Sequence, residues 1–506
     1  MDLQLFLAHA DDHGPVLADG LPGSAMAEGL PEEERAEDRR ATRSQTRAGR
    51  ALPSDDLSEQ GWGVIAPKGD VGDRLLRLIE PLRQRRAAEQ GSEVVVYRVD
   101  PAMDEIESGR WMQQDYWDAV DRREDLLPRY LLVLGDADAV SWDLQQILAN
   151  DAFVGRLAFA EDHGYEAYVD KALRWEREPP ASGASALFFT AQDGSQAVSD
   201  GYHHLMQPSL AFAEALAAQG KLSARELREV PYRLYAAPAS ASSAETSSYA
   251  ETMLRDAANA RAGLLFSVSH GAGAPREGWA TRAEQRAVQG AMILSRHEQL
   301  TAADLTSRPF LPGGVWFYFA CFGAGTPSES AYYPWLDRLH QLGLFRRADD
   351  VLTSLPKRGE PPFVAALPKA VLANPEGPLG LIGHVDLAWT WGFLDNGFSR
   401  GRPGGRSRAE RFQGMLRALL GGHRLGVAHQ ALVSFARSAG YELPVMYERG
   451  PRREIRSGMS ASEEAWEARR ADLWLQRHDL GAYVLLGDPA ARLPIAHLPA
   501  GISRVT

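Results

Sequence analysis

Short apolar runs separated by amphipathic stretches dominate the sequence from Trp62 onward. Residues 64–67 (VIAP), 93–99 (EVVVYRV) and 130–134 (YLLVL) come first, and 186–190 (ALFFT), 264–269 (LLFSVS), 315–320 (VWFYFA), 378–382 (PLGLI) and 483–486 (YVLL) continue the series. Runs this short and unbroken read as strands buried on both faces, because a half-exposed strand would alternate apolar with polar residues. Helical periods lie between them, as at 71–88, where Leu75, Leu76, Leu78 and Ile79 cluster on one side. The alternation predicts an α/β fold with a mostly parallel sheet.

The 506 residues allow about three domains, or two large ones. We expect a mobile charged arm over 1–60, an α/β subdomain over 61–180 and a larger one over 181–500. The arm is expected because 21–59 is rich in Glu, Arg, Ala and Ser and poor in large apolar residues. Two further stretches, 353–363 (TSLPKRGEPPF) and 398–411 (FSRGRPGGRSRAER), read as exposed loops. With 55 basic and 67 acidic side chains the net charge is 55 − 67 = −12, which argues against a nucleic-acid partner. The N-terminal MDLQLFLAHADDHG has no basic n-region, and no apolar run approaches the ~20 residues that span a bilayer. A soluble, cytoplasmic chain without a membrane partner is the expectation. A single cysteine excludes an intrachain disulfide framework, a Cys-rich zinc site and an iron–sulfur cluster, yet leaves room for a lone catalytic thiol.

Two strand ends carry chemistry. LLFSVSHGAG delivers His270 and then Gly271 at the carboxyl end of a buried strand, where parallel sheets place their ligands. VWFYFACFGAG delivers Cys321 where hydrophobicity gives way to a Gly-rich loop. A thiol becomes a nucleophile only as thiolate, so it needs a base or positive charge beside it. A histidine on an adjacent strand supplies that, and the backbone N–H groups of Gly271 and Cys321 can hold an oxyanion. Gly323-Ala324-Gly325 lacks the Lys-Ser/Thr partner of a phosphate loop. His203, His204 and His297 lack metal-ligand spacing.

An apolar strand with His-Gly, followed by an apolar strand with Ala-Cys, resembles the caspase-like cysteine peptidases (clan CD). RYLLVLGDADAV, FVGRLAFAEDHGYEAYVDKALRWE and YVLLGDPAARL resemble in particular the gingipain-type family. The resemblance spans about residues 130–494 and implies a caspase-like three-layer α/β/α fold with two side-by-side α/β subdomains. It implies Cys321 as nucleophile and His270 as its partner. In FFTAQDGSQAVSDGYHH it implies Asp193 as the carboxylate that orients the imidazole and Asp200 as a pocket acid for a basic P1 side chain. Trp389, with Trp391 as competitor, matches the tryptophan that closes the specificity pocket. Related enzymes often hold calcium, and abundant surface Asp leaves a structural calcium site open; no cofactor is required by the chemistry.

The resulting expectation is a regulated intracellular cysteine endopeptidase acting on protein or peptide substrates, cutting after Arg or Lys, and restrained by a regulatory protein partner or by processing. An acidic P1 preference would draw on Arg276 and Arg282. Two rivals are a silent caspase-fold scaffold, with Cys321 buried, and an acyl hydrolase or transferase using the same thiol.

Overall fold

The computed structural model describes residues 2–30, 54–117, 127–191, 193–230, 243–345, 347–357, 359–395, 405–456 and 463–496. In chain order the strands are β1 (Leu7–His9), β2 (Trp62–Pro67), β3 (Val95–Val99), β4 (Tyr130–Leu134), β5 (Phe153–Leu157), β6 (Ala184–Thr190), β7 (Ala224–Val230), β8 (Leu264–Val268) and β9 (His270–Gly273). They continue with β10 (Met292–Ser295), β11 (Glu298–Leu300), β12 (Val315–Phe319), β13 (Gly325–Thr326), β14 (Phe363–Val364), β15 (Gly380–His384), β16 (Leu394–Asp395), β17 (Arg406–Ser407) and β18 (Tyr483–Gly487).

Ten of them form one sheet in the order β3-β2-β4-β5-β18-β15-β12-β8-β6-β7. Every pairing in it is parallel except β15 with β18. Alternate residues of β4 enter different cores: Tyr130, Leu132 and Leu134 join the large one, Leu131 and Val133 a second. Successive side chains on a strand face opposite ways, so both faces are covered and the three-layer α/β/α arrangement follows. The edge strands β3 and β7 are only half-buried, and β7 carries four charged residues (ARELREV) that discourage further pairing.

The expected two side-by-side subdomains share this one sheet. Residues 62–157 supply four strands, and the last strand, β18, joins them to the rest through the Leu486–Arg156 pair. The helix expected at 71–88 is two, Asp70–Leu78 and Glu80–Gln90. Pro81, in the first turn of the second, has no N–H to donate and would clash with the turn before it.

The segments behind the resemblance tie the layers together. Arg156 is buried and donates to Gln145 Oε1, Gly135 O and Ser141 O. Buried Lys171 caps the end of the helix Ala366–Ala373, donating to Leu372 O at 2.6 Å and Asn374 O at 2.9 Å. Asp488 holds Arg86 across the molecule.

The expected arm is corrected where it is described. Residues 31–53, its most charged part, lie outside the described residues. Residues 2–30 are packed in: Leu3, Leu5, Phe6, Leu7 and Met26 are fully buried, and β1 runs parallel to β9. The apolar run LQLFLA outweighs the polar composition around it. The loop expected at 398–411 is also shorter than anticipated, since a helix starts at Glu410 and Arg411 is buried over Trp391; residues 398–404 are outside the described ones. In the other expected loop, 353–363, the helix Ala348–Ser354 and β14 take the two ends.

Candidate active site

Strands β8 and β12 are neighbours in register, Val268 beside Phe319, so their carboxyl ends lie at one level. Ser269 N–H donates to Phe319 O at 3.2 Å and locks this juncture. The chain beyond β8 leaves the main sheet as β9 and joins a smaller sheet, β1-β9-β10-β11. His270, Gly271 and Cys321 thus meet at one edge. The end of β15 arrives from the other side, where Ala388 N–H donates to Cys321 Sγ at 3.1 Å. A side chain at Gly271 has no room: its Cβ would lie 1.9 Å from Cys321 O. Phe322, next after the cysteine, holds a left-handed backbone with φ 56°, fixed by its N–H to Asp386 O at 3.0 Å.

Asp193 stands three residues beyond β6 and accepts from His270 Nδ1 across 2.5 Å, both side chains being buried. Ser195 N–H donates to its other oxygen at 2.9 Å. Burial pushes the Asp193 carboxyl up, but the charge and hydrogen bond of His270 outweigh that and hold it below its ordinary value. A carboxylate on Nδ1 keeps the proton there and leaves Nε2 as the reactive nitrogen. Nε2 is buried and has no hydrogen-bond partner among the described residues. The Cys321 thiol is fully buried, and burial pushes its pKa up, with the charges of Asp386 and Asp479 adding to the shift.

The two backbone donors converge on one oxygen. Gly271 N–H reaches Phe6 O at 3.0 Å and Cys321 N–H reaches the same atom at 3.2 Å. Residues 4–6 run antiparallel to 388–390: Phe6 N–H donates to Ala388 O at 3.0 Å and Thr390 N–H to Gln4 O at 2.9 Å, with Leu5 bridged to Trp389. This segment was not legible as part of the site. Its signal was the period-two placement of Leu3, Leu5 and Leu7, which marks a strand.

Residues 64–307 match the model of peptidase family C25. That stretch, just under half of the chain, is similar to the C25 cysteine peptidases. It takes in Asp193 and His270 and stops before Cys321. Among solved structures, one described as a protease is 11% identical, covers 88% of this chain and 82% of its own, and has a TM-score of 0.47. The Arg-specific cysteine proteinase gingipain R is 13% identical over 86% and 78%, with a TM-score of 0.43. A complex of Porphyromonas gingivalis gingipain pro- and mature domains is 12% identical over 85% and 79%, with a TM-score of 0.42. No curated protein matches the chain.

The pocket residues that the resemblance implies are only partly gathered at the site. Trp389 borders it through its backbone, while its ring packs edge-on against Tyr332 and Trp335, both 6.0 Å away. Trp391 has the guanidinium groups of Arg411 at 4.2 Å and Arg408 at 5.4 Å over its ring, a packing role. Asp200 accepts from Gln196 within its own helix, and burial raises its pKa; the residue of that helix facing Phe6 is Gly201. Among the described residues no three His, Cys, Asp or Glu side chains gather in a way that would hold a metal ion.

Two buried acids beside the thiol were missed, because nothing in their local sequence marks them. Asp386 accepts from Ser330 Oγ, Ala331 N–H and Leu387 N–H, and burial pushes it up to about 6. Asp479 accepts from Trp389 N–H at 3.3 Å and is pushed up to about 7 by burial, against an ordinary value of 3.8. Between those values the folded chain holds a proton that the unfolded chain has lost. Stability therefore falls as pH rises through this window, at up to about 1.4 kcal/mol per pH unit. Asp479→Asn is expected to flatten the decline in Tm between pH 5 and 7, measured by thermal unfolding; a slope equal to wild type would refute the assignment.

Proposed function

We propose that the chain is a cysteine endopeptidase whose catalytic groups are Cys321, His270 and Asp193, with Gly271 and Cys321 N–H groups as the oxyanion site. The observation that carries the reading is the convergence of those two N–H groups on a peptide carbonyl beside the Asp193–His270 pair. Cys321 Sγ gives its proton to His270 Nε2 and attacks the scissile carbonyl carbon, forming a C–S bond as the oxygen takes the negative charge. Collapse breaks the C–N bond, and the leaving amine takes the proton from Nε2. Water, deprotonated by His270, then attacks the thioester; the C–S bond breaks and the thiol is restored.

Asp193 acts by fixing the tautomer and stabilising the imidazolium. Asp193→Asn is expected to lower kcat by about 10²–10⁴-fold with KM nearly unchanged, as read from fluorogenic peptide kinetics. A kcat within threefold of wild type would remove Asp193 from the mechanism.

The charged residues considered for specificity give little support to either charged P1 class. Asp200 bonds within its helix, Arg276 pairs with Asp12 at the surface, and Arg282 pairs with Glu360 at 2.7 Å. The full burial of Cys321 favours the scaffold reading at first sight. The cover, however, is residues 4–6 of the same chain lying along the cleft, so burial has a cause compatible with catalysis. Among the described residues no helix is long and apolar enough to cross a membrane.

A further inference from the structure

Residues 4–6 occupy the cleft in the register that the catalytic reading assigns to a substrate. The Phe6 carbonyl lies between both oxyanion donors, where that mechanism places the carbonyl of the bond to be cut. The backbone before it pairs antiparallel with 388–390, the way an extended peptide adds to an exposed strand. The Phe6 side chain therefore marks the pocket for the residue preceding the scissile bond.

That pocket is aromatic. The Phe6 ring meets Phe319 edge-on at 4.8 Å and Phe393 at 5.9 Å, and lies tilted to His270 at 5.8 Å. Its far tip faces Gly201, where a Cβ would come within 3.4 Å of Phe6 Cζ and 2.8 Å of Val268 Cγ1. A Cβ at 201 would crowd Val268 while only touching the Phe6 ring, so this helix lies directly against the tip of the pocket. Phe319 is backed by Phe412 at 6.0 Å and meets Phe393 at 5.3 Å, and all three are fully buried, so the walls are set by the core. A lysine or arginine seated here would bury its cation against the rings of Phe319 and Phe393.

Resting on the peptidase reading above, we infer that the cleft takes polypeptides with an aromatic or large aliphatic side chain before the cleaved bond, and that residues 4–6 are its resident competitor. The occupant is well secured. Leu3 exchanges two backbone hydrogen bonds with Leu21 at 2.7 and 2.8 Å, Val16 N–H donates to Leu7 O at 2.9 Å, and His9 Nδ1 lies 2.9 Å from Ala274 O. Substrate entry requires this strand to leave.

The test labels the full chain with two peptidyl chloromethyl ketones that differ only in P1, Phe against Lys, and follows adduct formation at Cys321 by intact mass. In wild type the occupant slows both probes alike, so the ratio reads the pocket without any variant having to fold. The expected ratio is at least tenfold in favour of Phe. Phe6→Gly is expected to raise both rates at least tenfold and keep the ratio; adding the peptide DLQLFLAH, the sequence of residues 2–9, is expected to slow them again, whereas the same peptide with Lys for Phe is not. A Lys probe as fast as or faster than the Phe probe would overturn the pocket assignment while leaving the peptidase intact. Rates unchanged in folded Phe6→Gly would overturn the occupancy. No adduct with either probe in wild type or folded Phe6→Gly would take down the peptidase reading itself.

Discussion

Cys321→Ala is expected to lower kcat/KM for a fluorogenic peptide by about 10⁴-fold or more while the protein stays folded. Removing the nucleophile abolishes the thioester route, and the residual rate is set by the oxyanion donors and binding alone. The fold should tolerate the change. The thiol is fully buried, but among the described residues its hydrogen-bond contacts are the Ala388 N–H at 3.1 Å and the Ala388 carbonyl at 3.6 Å. His270→Ala should lose a comparable factor, and the double variant should lose little more than either single one, because the two groups act as a unit. Additive losses would mean that the thiol and the imidazole serve different steps.

Asp488→Ala is expected to cost about 3 kcal/mol of stability, the largest effect predicted for any residue outside the site. Asp488 and Arg86 are both buried, and the carboxylate accepts from Arg86 Nε at 2.9 Å and from a second guanidinium nitrogen at 2.7 Å. It also accepts from Trp62 Nε1 at 3.0 Å and from Ala490 N–H at 3.0 Å. Burial would lower the Arg86 pKa, but Asp488, Glu176 and Glu89 together hold it above its ordinary value. Taking away the innermost of the three acids strands a desolvated cation and two N–H donors. The damage falls on the turn after β18, the strand that joins the two halves of the sheet. Denaturant unfolding measures it. By contrast Lys68→Ala, which removes an exposed pair with Asp100 at 2.6 Å, is expected to cost under about 0.5 kcal/mol. Equal losses for the two variants would contradict this account of what ties the halves together.

The strands that carry the site were legible because burial on both faces forces an unbroken apolar run, and β4, β8, β12 and β18 have that pattern. His270 and Cys321 were legible for the same reason: each stands where such a run stops. Asp193 could be named because it follows the neighbouring strand β6 closely and the family resemblance asks for an acid there. Asp200 is one residue from Gly201, and on a helix one residue is about 100° of rotation. Composition cannot register that difference, so the carboxylate was placed in a pocket that glycine faces. The break at Ile79 escaped because apolar period alone does not register a proline at 81. The role of segment 2–9 is not legible because its partners, 271–273 and 388–390, lie hundreds of residues away in the chain. Asp386 and Asp479 are informative only through what surrounds them in space.

The central claim, that Cys321 and His270 cut peptide bonds, is tested most directly by counting new amino termini released from a defined peptide pool. The full chain, wild type and Phe6→Gly, is incubated with the pool beside the corresponding Cys321→Ala proteins. The account predicts new termini from both Cys321-containing proteins, more from Phe6→Gly, and none above background from either alanine variant. Termini released equally with and without Cys321, or none at all from folded Phe6→Gly, would contradict it.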